Sequence, residues 1–108
     1  MVFFTKDNCV QCGAVARKLK SLGLTDTDGV GLRLKPAPLE GGIPLTVINV
    51  SEAPEQAATL RERGCSATPV VDLLGADGEI VKTVEGFDVA KLEEVAAWLQ
   101  KESNGTLA

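Results

Sequence analysis

A chain of 108 residues and 11.3 kDa has room for one compact domain, since a single core is typically built from about 100 to 150 residues. Its 44% apolar and 24% charged residues are an ordinary globular balance, and the formal charge of −4 repels a phosphate backbone, which argues against nucleic-acid binding. Histidine is absent, so an imidazole base, a Cys and His dyad and a His-ligated metal are all excluded from within the chain.

Val2 to Thr5 is a short apolar, β-prone run, and Lys6, Asp7 and Asn8 end it with turn and cap chemistry. Lys6 comes too early for a signal peptide, and no stretch approaches the ~18 uninterrupted apolar residues of a membrane helix, so a cytoplasmic protein with no membrane partner is expected. From Val10 to Leu22 the apolar residues Val15, Ala16, Leu19 and Leu22 recur at three and four, the period of one helix face, and Gly23 is placed to close that helix. The first cysteine of a CxxC pair, Cys9, thus falls in a strand-to-helix loop, and the second, Cys12, in the helix.

Residues 25–42 are rich in glycine and proline and read as an extended loop or a small hairpin, an insertion within a single domain of residues 1–102. Leu45 to Val50 is a continuous β-branched run, expected as a strand buried on both faces of a mixed sheet, with Pro44 tolerated only at its first position. Ser51 to Ala53 lead into a helix that has Pro54 in its first turn. Glu52 and Glu55 come early, and Arg61 and Arg63 come late before Gly64, the charge order that the helix dipole favours. Val70 to Leu74 and Glu79 to Val84 form a hairpin about Ala76, Asp77 and Gly78. Asp88 is the N-cap of a last helix with a Leu92, Val95, Ala96 and Leu99 stripe and Trp98 beside it; residues 103–108 are expected as a frayed tail. The succession βαβαββα makes an α/β domain of one four-stranded mixed sheet with three helices.

Two cysteines separated by two residues at the start of a helix can close a disulfide with little backbone movement, and the helix N-terminus stabilises a thiolate on the first. Cys9 is therefore the attacking thiol, and Cys12, one turn inside, resolves the mixed disulfide by bonding to Cys9. Half of a structural zinc site is the competing reading. Such a site takes four ligands, and only Cys65 is left to join the pair, so no metal is expected. Thr68 and Pro69 stand at the head of the Val70 strand. Base rates favour a trans proline there, but beside a CxxC pair a cis bond is the expectation, because it would expose backbone for an extended substrate.

Thr5, Lys6, Asp7, Asn8, Cys9, Val10, Gln11 and Cys12, with Pro69 and Val70 later and Gly86 and Phe87 after the hairpin, resemble the NrdH-type glutaredoxin-like redoxins. That family's pattern is TKxxCVQC, xPVV and SGF, of which CVQC is the specific part. The resemblance spans nearly the whole chain apart from residues 25–42. It implies the thioredoxin fold and a dithiol electron donor to class Ib ribonucleotide reductase or another disulfide protein. It implies recycling by thioredoxin reductase rather than glutathione, no cofactor beyond the redox-active Cys9 and Cys12 disulfide, and a monomer. The binding residues it implies are Lys6, Val10, Gln11, Thr68, Pro69, Gly86 and Phe87.

Two other functions compete. A glutathione-dependent glutaredoxin would use Lys6, the Thr68 backbone and the Gly86 to Asp88 turn for the carboxylates of glutathione, but Gln11 stands where glutaredoxins offer an aromatic. A thioredoxin-fold binding module with the cysteines as a switch is the other, although a passive adapter gains nothing from a resolving thiol. The chain departs from the family at Glu85, which stands in place of serine, and at Cys65, four residues before Pro69. Cys65 reads as a third redox thiol, a glutathionylation site or an inert buried cysteine, burial being the default for a free thiol. Phe87 reads as a docking residue or as core.

Overall fold

The computed structural model describes residues 1–7, 9–29, 35–39, 44–65 and 68–107. Strand β1 (Val2–Thr5) leads through the Cys9 loop into helix α1 (Val10–Ser21), followed by β2 (Asp26–Asp28), β3 (Lys35–Ala37), β4 (Thr46–Asn49), α2 (Pro54–Glu62), β5 (Val70–Leu74), β6 (Ile80–Glu85) and α3 (Val89–Leu107). The fold is α/β: a four-stranded mixed sheet in the order β4-β1-β5-β6, three helices, and a separate two-stranded pair of β2 and β3. β1 runs parallel to β4 and antiparallel to β5, and β5 runs antiparallel to β6. Among the described residues no helix is long and apolar enough to cross a membrane.

The period of two along a strand sends neighbouring side chains to opposite faces, and β1 uses this to build two cores. Phe3, with Val71, Leu73 and Val84, joins Val15 and Leu19 of α1 and Leu92 and Val95 of α3. Phe4 and Val70 point the other way, to Leu60 of α2 and to Cys65. Each fully buried side chain of this kind contributes roughly 1.5–3 kcal/mol of burial free energy, which is what keeps α1 and α3 on one face and α2 on the other.

Both of the first two helices end in the same way. After α1, the Gly23 amide donates to the Lys20 carbonyl and the Leu24 amide to the Leu19 carbonyl, both at 3.0 Å, with Gly23 at φ 74°. After α2, Gly64 at φ 84° donates to Arg61 at 3.0 Å, and Cys65 donates to Leu60 at 2.9 Å. This paired pattern needs a left-handed residue that glycine adopts without steric cost, and it folds the following apolar residue back onto the helix. Leu24 lands on the core beside Leu19, and Cys65 on the core beside Leu60.

Two expectations change, for the Leu45 to Val50 run and the C-terminal tail, and the alternatives left open for residues 25–42 narrow. The Leu45 to Val50 run is not a strand buried on both faces: β4 lies at the sheet edge, pairs with β1 alone, and exposes Thr46 and Val47. Its β-branched composition specifies a strand but not its place in the sheet. Within the 25–42 segment the described part is the small hairpin, with Asp26 opposite Ala37 and Asp28 opposite Lys35, lying beside α1; residues 30–34 and 40–43 lie outside the described residues. The backbone of α3 stays helical through residues 103–107 of the expected tail, and Ala108 lies outside the described residues. Asp88 caps α3 as anticipated, its carboxylate accepting from the Lys91 amide at 3.1 Å.

Candidate functional site

The β1 strand ends at Thr5, and the loop after it is held against the β4 to α2 connection. The Val50 amide donates to the Thr5 carbonyl at 2.8 Å and the Asp7 amide to Ser51 Oγ at 3.1 Å, while the Asn49 amide group donates to Asp7 Oδ1 at 3.0 Å. Asn8 lies outside the described residues. Cys9 then stands as the N-cap of α1 and is bonded to Cys12, with their Cα atoms 5.2 Å apart. The Cys12 amide donates to Cys9 Sγ at 3.1 Å, so a first-turn N–H group is directed at the outer sulfur. Cys9 is half-buried, whereas Cys12 is buried at 3% exposure. Cys9 is thus the more accessible of the two bonded cysteines.

Of the other anticipated residues, Val10 and Gln11 lie between the two cysteines in sequence, and Pro69 and Gly86 are linked to each other. The Thr68 to Pro69 peptide is cis, and the Pro69 carbonyl accepts from the Gly86 amide at 2.8 Å. Gly86, at φ 67°, lies against α1: a Cβ added there would sit 3.7 Å from Gln11 Oε1. Val10 and Phe87 are exposed at 60% and 46%, so Phe87 belongs to the surface and not to the core. Among the described residues no group of three or more potential ligands converges to hold a metal ion.

Lys6 and Thr68 line a different feature, a cleft of about 140 Å³ on the α2 side, shared with Val50, Ala57, Leu60, Arg61 and Cys65. Neither Cys9 nor Cys12 contributes to its lining. Comparison of the chain with known protein families, curated proteins and solved structures found no match. The functional reading therefore rests on these residues and their geometry.

Sequence reasoning missed the Asp7, Asn49 and Ser51 web and the place of Arg61 in the cleft. The first had a signal in the short polar residues that flank two β-prone runs, which favour local backbone hydrogen bonds. The second had none, because a late-helix arginine is equally expected from dipole complementarity.

Burial, and then the neighbouring Glu85 carboxylate, raise the Cys65 thiol above its ordinary pKa, with Arg63 opposing them. Because the folded chain holds this proton more firmly than the unfolded one, the stability it contributes is complete below the ordinary thiol value and is lost as pH rises through the folded value. Urea midpoints of the oxidised chain measured between about pH 8 and 10 are expected to fall, and Cys65→Ala is expected to flatten that fall.

Proposed function

We propose that this chain is a thiol-disulfide oxidoreductase of the thioredoxin fold, an NrdH-type redoxin. It donates electrons to ribonucleotide reductase or another disulfide protein of the cytoplasm, and it is recharged by thioredoxin reductase. The observation that carries this reading is the Cys9 and Cys12 disulfide at the N-terminus of α1, its outer sulfur half-exposed and its inner sulfur in the core. The parallel β1 and β4 pair, the placement of α1 and α3 opposite α2, and Pro69 at the head of β5 support the fold assignment.

In the reduced chain the Cys9 thiolate attacks one sulfur of a substrate disulfide. A mixed disulfide forms and the first substrate thiolate leaves. Cys12 then loses its proton and attacks Cys9 Sγ, which expels the second substrate thiolate and closes the Cys9 and Cys12 bond. The substrate gains two electrons and the redoxin loses two. Val10, next to Cys9 in the chain, is an exposed apolar side chain on which a protein substrate can seat while exchange proceeds.

Alkylation of the reduced chain by iodoacetamide tests the attacking thiol. The Cys9 rate is expected to rise with a midpoint below the ~8.5 of a free thiol. The rate gain at pH 7 is only about two- to threefold, because nucleophilicity falls as the thiolate fraction grows, with a Brønsted slope near 0.4–0.5. The midpoint is therefore the sharper readout, and one equal to that of free cysteine would overturn the assignment. Insulin reduction with NADPH separates the donors: thioredoxin reductase is expected to sustain turnover better than glutathione with its own reductase.

A further inference from the structure

Three polar residues that the exchange cycle does not use form a closed ring. The Asp7 amide donates to Ser51 Oγ, the Ser51 amide donates to Asn49 Oδ1 at 2.9 Å, and Asn49 Nδ2 returns a bond to Asp7 Oδ1. Each member donates once and accepts once. Asn49 does both through its side chain, so the asparagine closes the ring. The ring fastens the Cys9 loop to the end of β4, next to the bond from the Val50 amide to the Thr5 carbonyl. Among the described residues Asp7 is the last one before Cys9 that bonds to another element. Two residues of chain reach at most about 7 Å, so this anchor lies one short step from the attacking sulfur.

In the oxidised chain the bond to Cys12 ties Cys9 to α1. Reduction removes that tie. The sulfur then keeps the Cys12 amide that donates to it only while the loop holds the N-cap residue in place, and that donor with the helix N-terminus stabilises the thiolate. A loop released from its anchor spreads over more backbone conformations, many of which turn the sulfur from the amide to water. We propose that Asn49 is a positioning residue for the Cys9 thiolate, holding the reduced loop through Asp7 so that the sulfur stays on the first turn of α1. The inference rests on the redoxin reading and adds to it a residue forty positions away in the chain.

The reduced chain and its variants are alkylated with iodoacetamide across pH, and the Cys9 adduct is followed by peptide mapping. In Asn49→Ala the Cys9 midpoint is expected to rise by about 0.5 pH, toward the ~8.5 of a free thiol. Cys12, Lys6 and Asp7, the titratable groups nearest to Cys9 in the chain, are unchanged in that variant, and the buried cluster against which Cys9 packs is apolar. Asn49→Asp sets two carboxylates against each other and is expected to raise the midpoint further. Exchanging the pair, Asp7→Asn with Asn49→Asp, reverses donor and acceptor, leaves a carboxylate to accept from the Ser51 amide, and keeps the total charge. It is expected to return the midpoint to within about 0.2 pH of the wild type. Val47→Ala, on β4 but outside the ring, is expected to leave the midpoint in place, which separates loss of the ring from a general loosening of the strand. A lowered wild-type midpoint that Asn49→Ala does not move, an exchanged pair shifted as far as Asn49→Asp alone, or a Val47→Ala shift equal to that of Asn49→Ala would overturn this inference and leave the redoxin reading standing. A wild-type midpoint equal to that of free cysteine would remove both.

Discussion

Cys9→Ser is expected to reduce disulfide turnover to the uncatalysed background, whereas Cys12→Ser is expected to keep the first attack and stall with substrate covalently attached. The difference follows from position. Cys9 is the half-exposed N-cap residue whose sulfur accepts the Cys12 amide, so it alone combines access with a stabilised negative charge. Cys12 is sealed in the core with Val15 and Phe3, where an incoming protein disulfide cannot reach it, but its sulfur is already bonded to Cys9 in the oxidised chain. A serine at Cys12 cannot expel the bound thiolate, so the mixed disulfide accumulates and is visible as a mass increase that dithiothreitol reverses. A Cys12→Ser chain that turns over at the normal rate, or a Cys9→Ser chain that still forms the adduct, would contradict these roles. Cys12→Ala should behave like Cys12→Ser, which separates the missing thiol from any cost of placing a hydroxyl in the core.

The largest stability effect is expected away from the disulfide, at Arg63 and Asp72. The Arg63 guanidinium donates to both oxygens of Asp72 at 2.9 Å, and the Thr83 hydroxyl donates to Asp72 Oδ1, also at 2.9 Å. Asp72 is buried, with a side chain 4% exposed, while that of Arg63 is 28% exposed. Hydrogen bonding to Asp72 is the main reason that the arginine holds its proton more firmly than usual, so the pair stays charged on the arginine side throughout the folding range. Arg63→Ala leaves a buried carboxylate with a single hydroxyl donor. Breaking such a pair costs about 3–5 kcal/mol when both groups are buried, and the partial exposure of Arg63 lowers the expectation to about 2–3 kcal/mol. Asp72→Ala should cost less, because the freed guanidinium can turn to water. Replacing both by apolar residues, Arg63→Met with Asp72→Leu, should restore much of the loss. Urea unfolding of the four chains measures the order, and Asp72→Ala proving the more damaging single change would refute the argument. The pair fastens the end of α2 to β5 at the point where the chain leaves for Gly64, Cys65 and Pro69, so loosening it should also disturb the cleft.

How much of this was legible depends on whether the signal was local. The α1 helix, its Gly23 ending, the Asp88 cap and the hairpin about Gly78 were readable because each depends on a few adjacent residues and one backbone preference. The CxxC pair was readable for the same reason: three residues of helix bring two sulfurs within bonding distance wherever the helix is packed. The place of β4 was not, since Thr46 to Asn49 has the composition of a central strand and only pairing with β1 alone makes it an edge. Nor was the division of the site residues, which runs along the sheet instead of along the chain. Gly86 lies near Gln11 and bonds to Pro69, while Lys6, before Cys9 in sequence, joins Arg61, Cys65 and Thr68 on the α2 side.

The amino-acid sequence by itself determined the local elements and the Cys9 and Cys12 pair, because helix period, capping and a three-residue spacing act over one or two turns. Only the tertiary structure decided that Asp72 would be buried against Arg63, that β4 would be an edge, and that Cys65 would share a cleft with two cations. Those outcomes depend on which faces of α2, β1 and β5 meet, and contacts between residues distant in sequence arise from the packing of whole elements, which no short window of residues encodes.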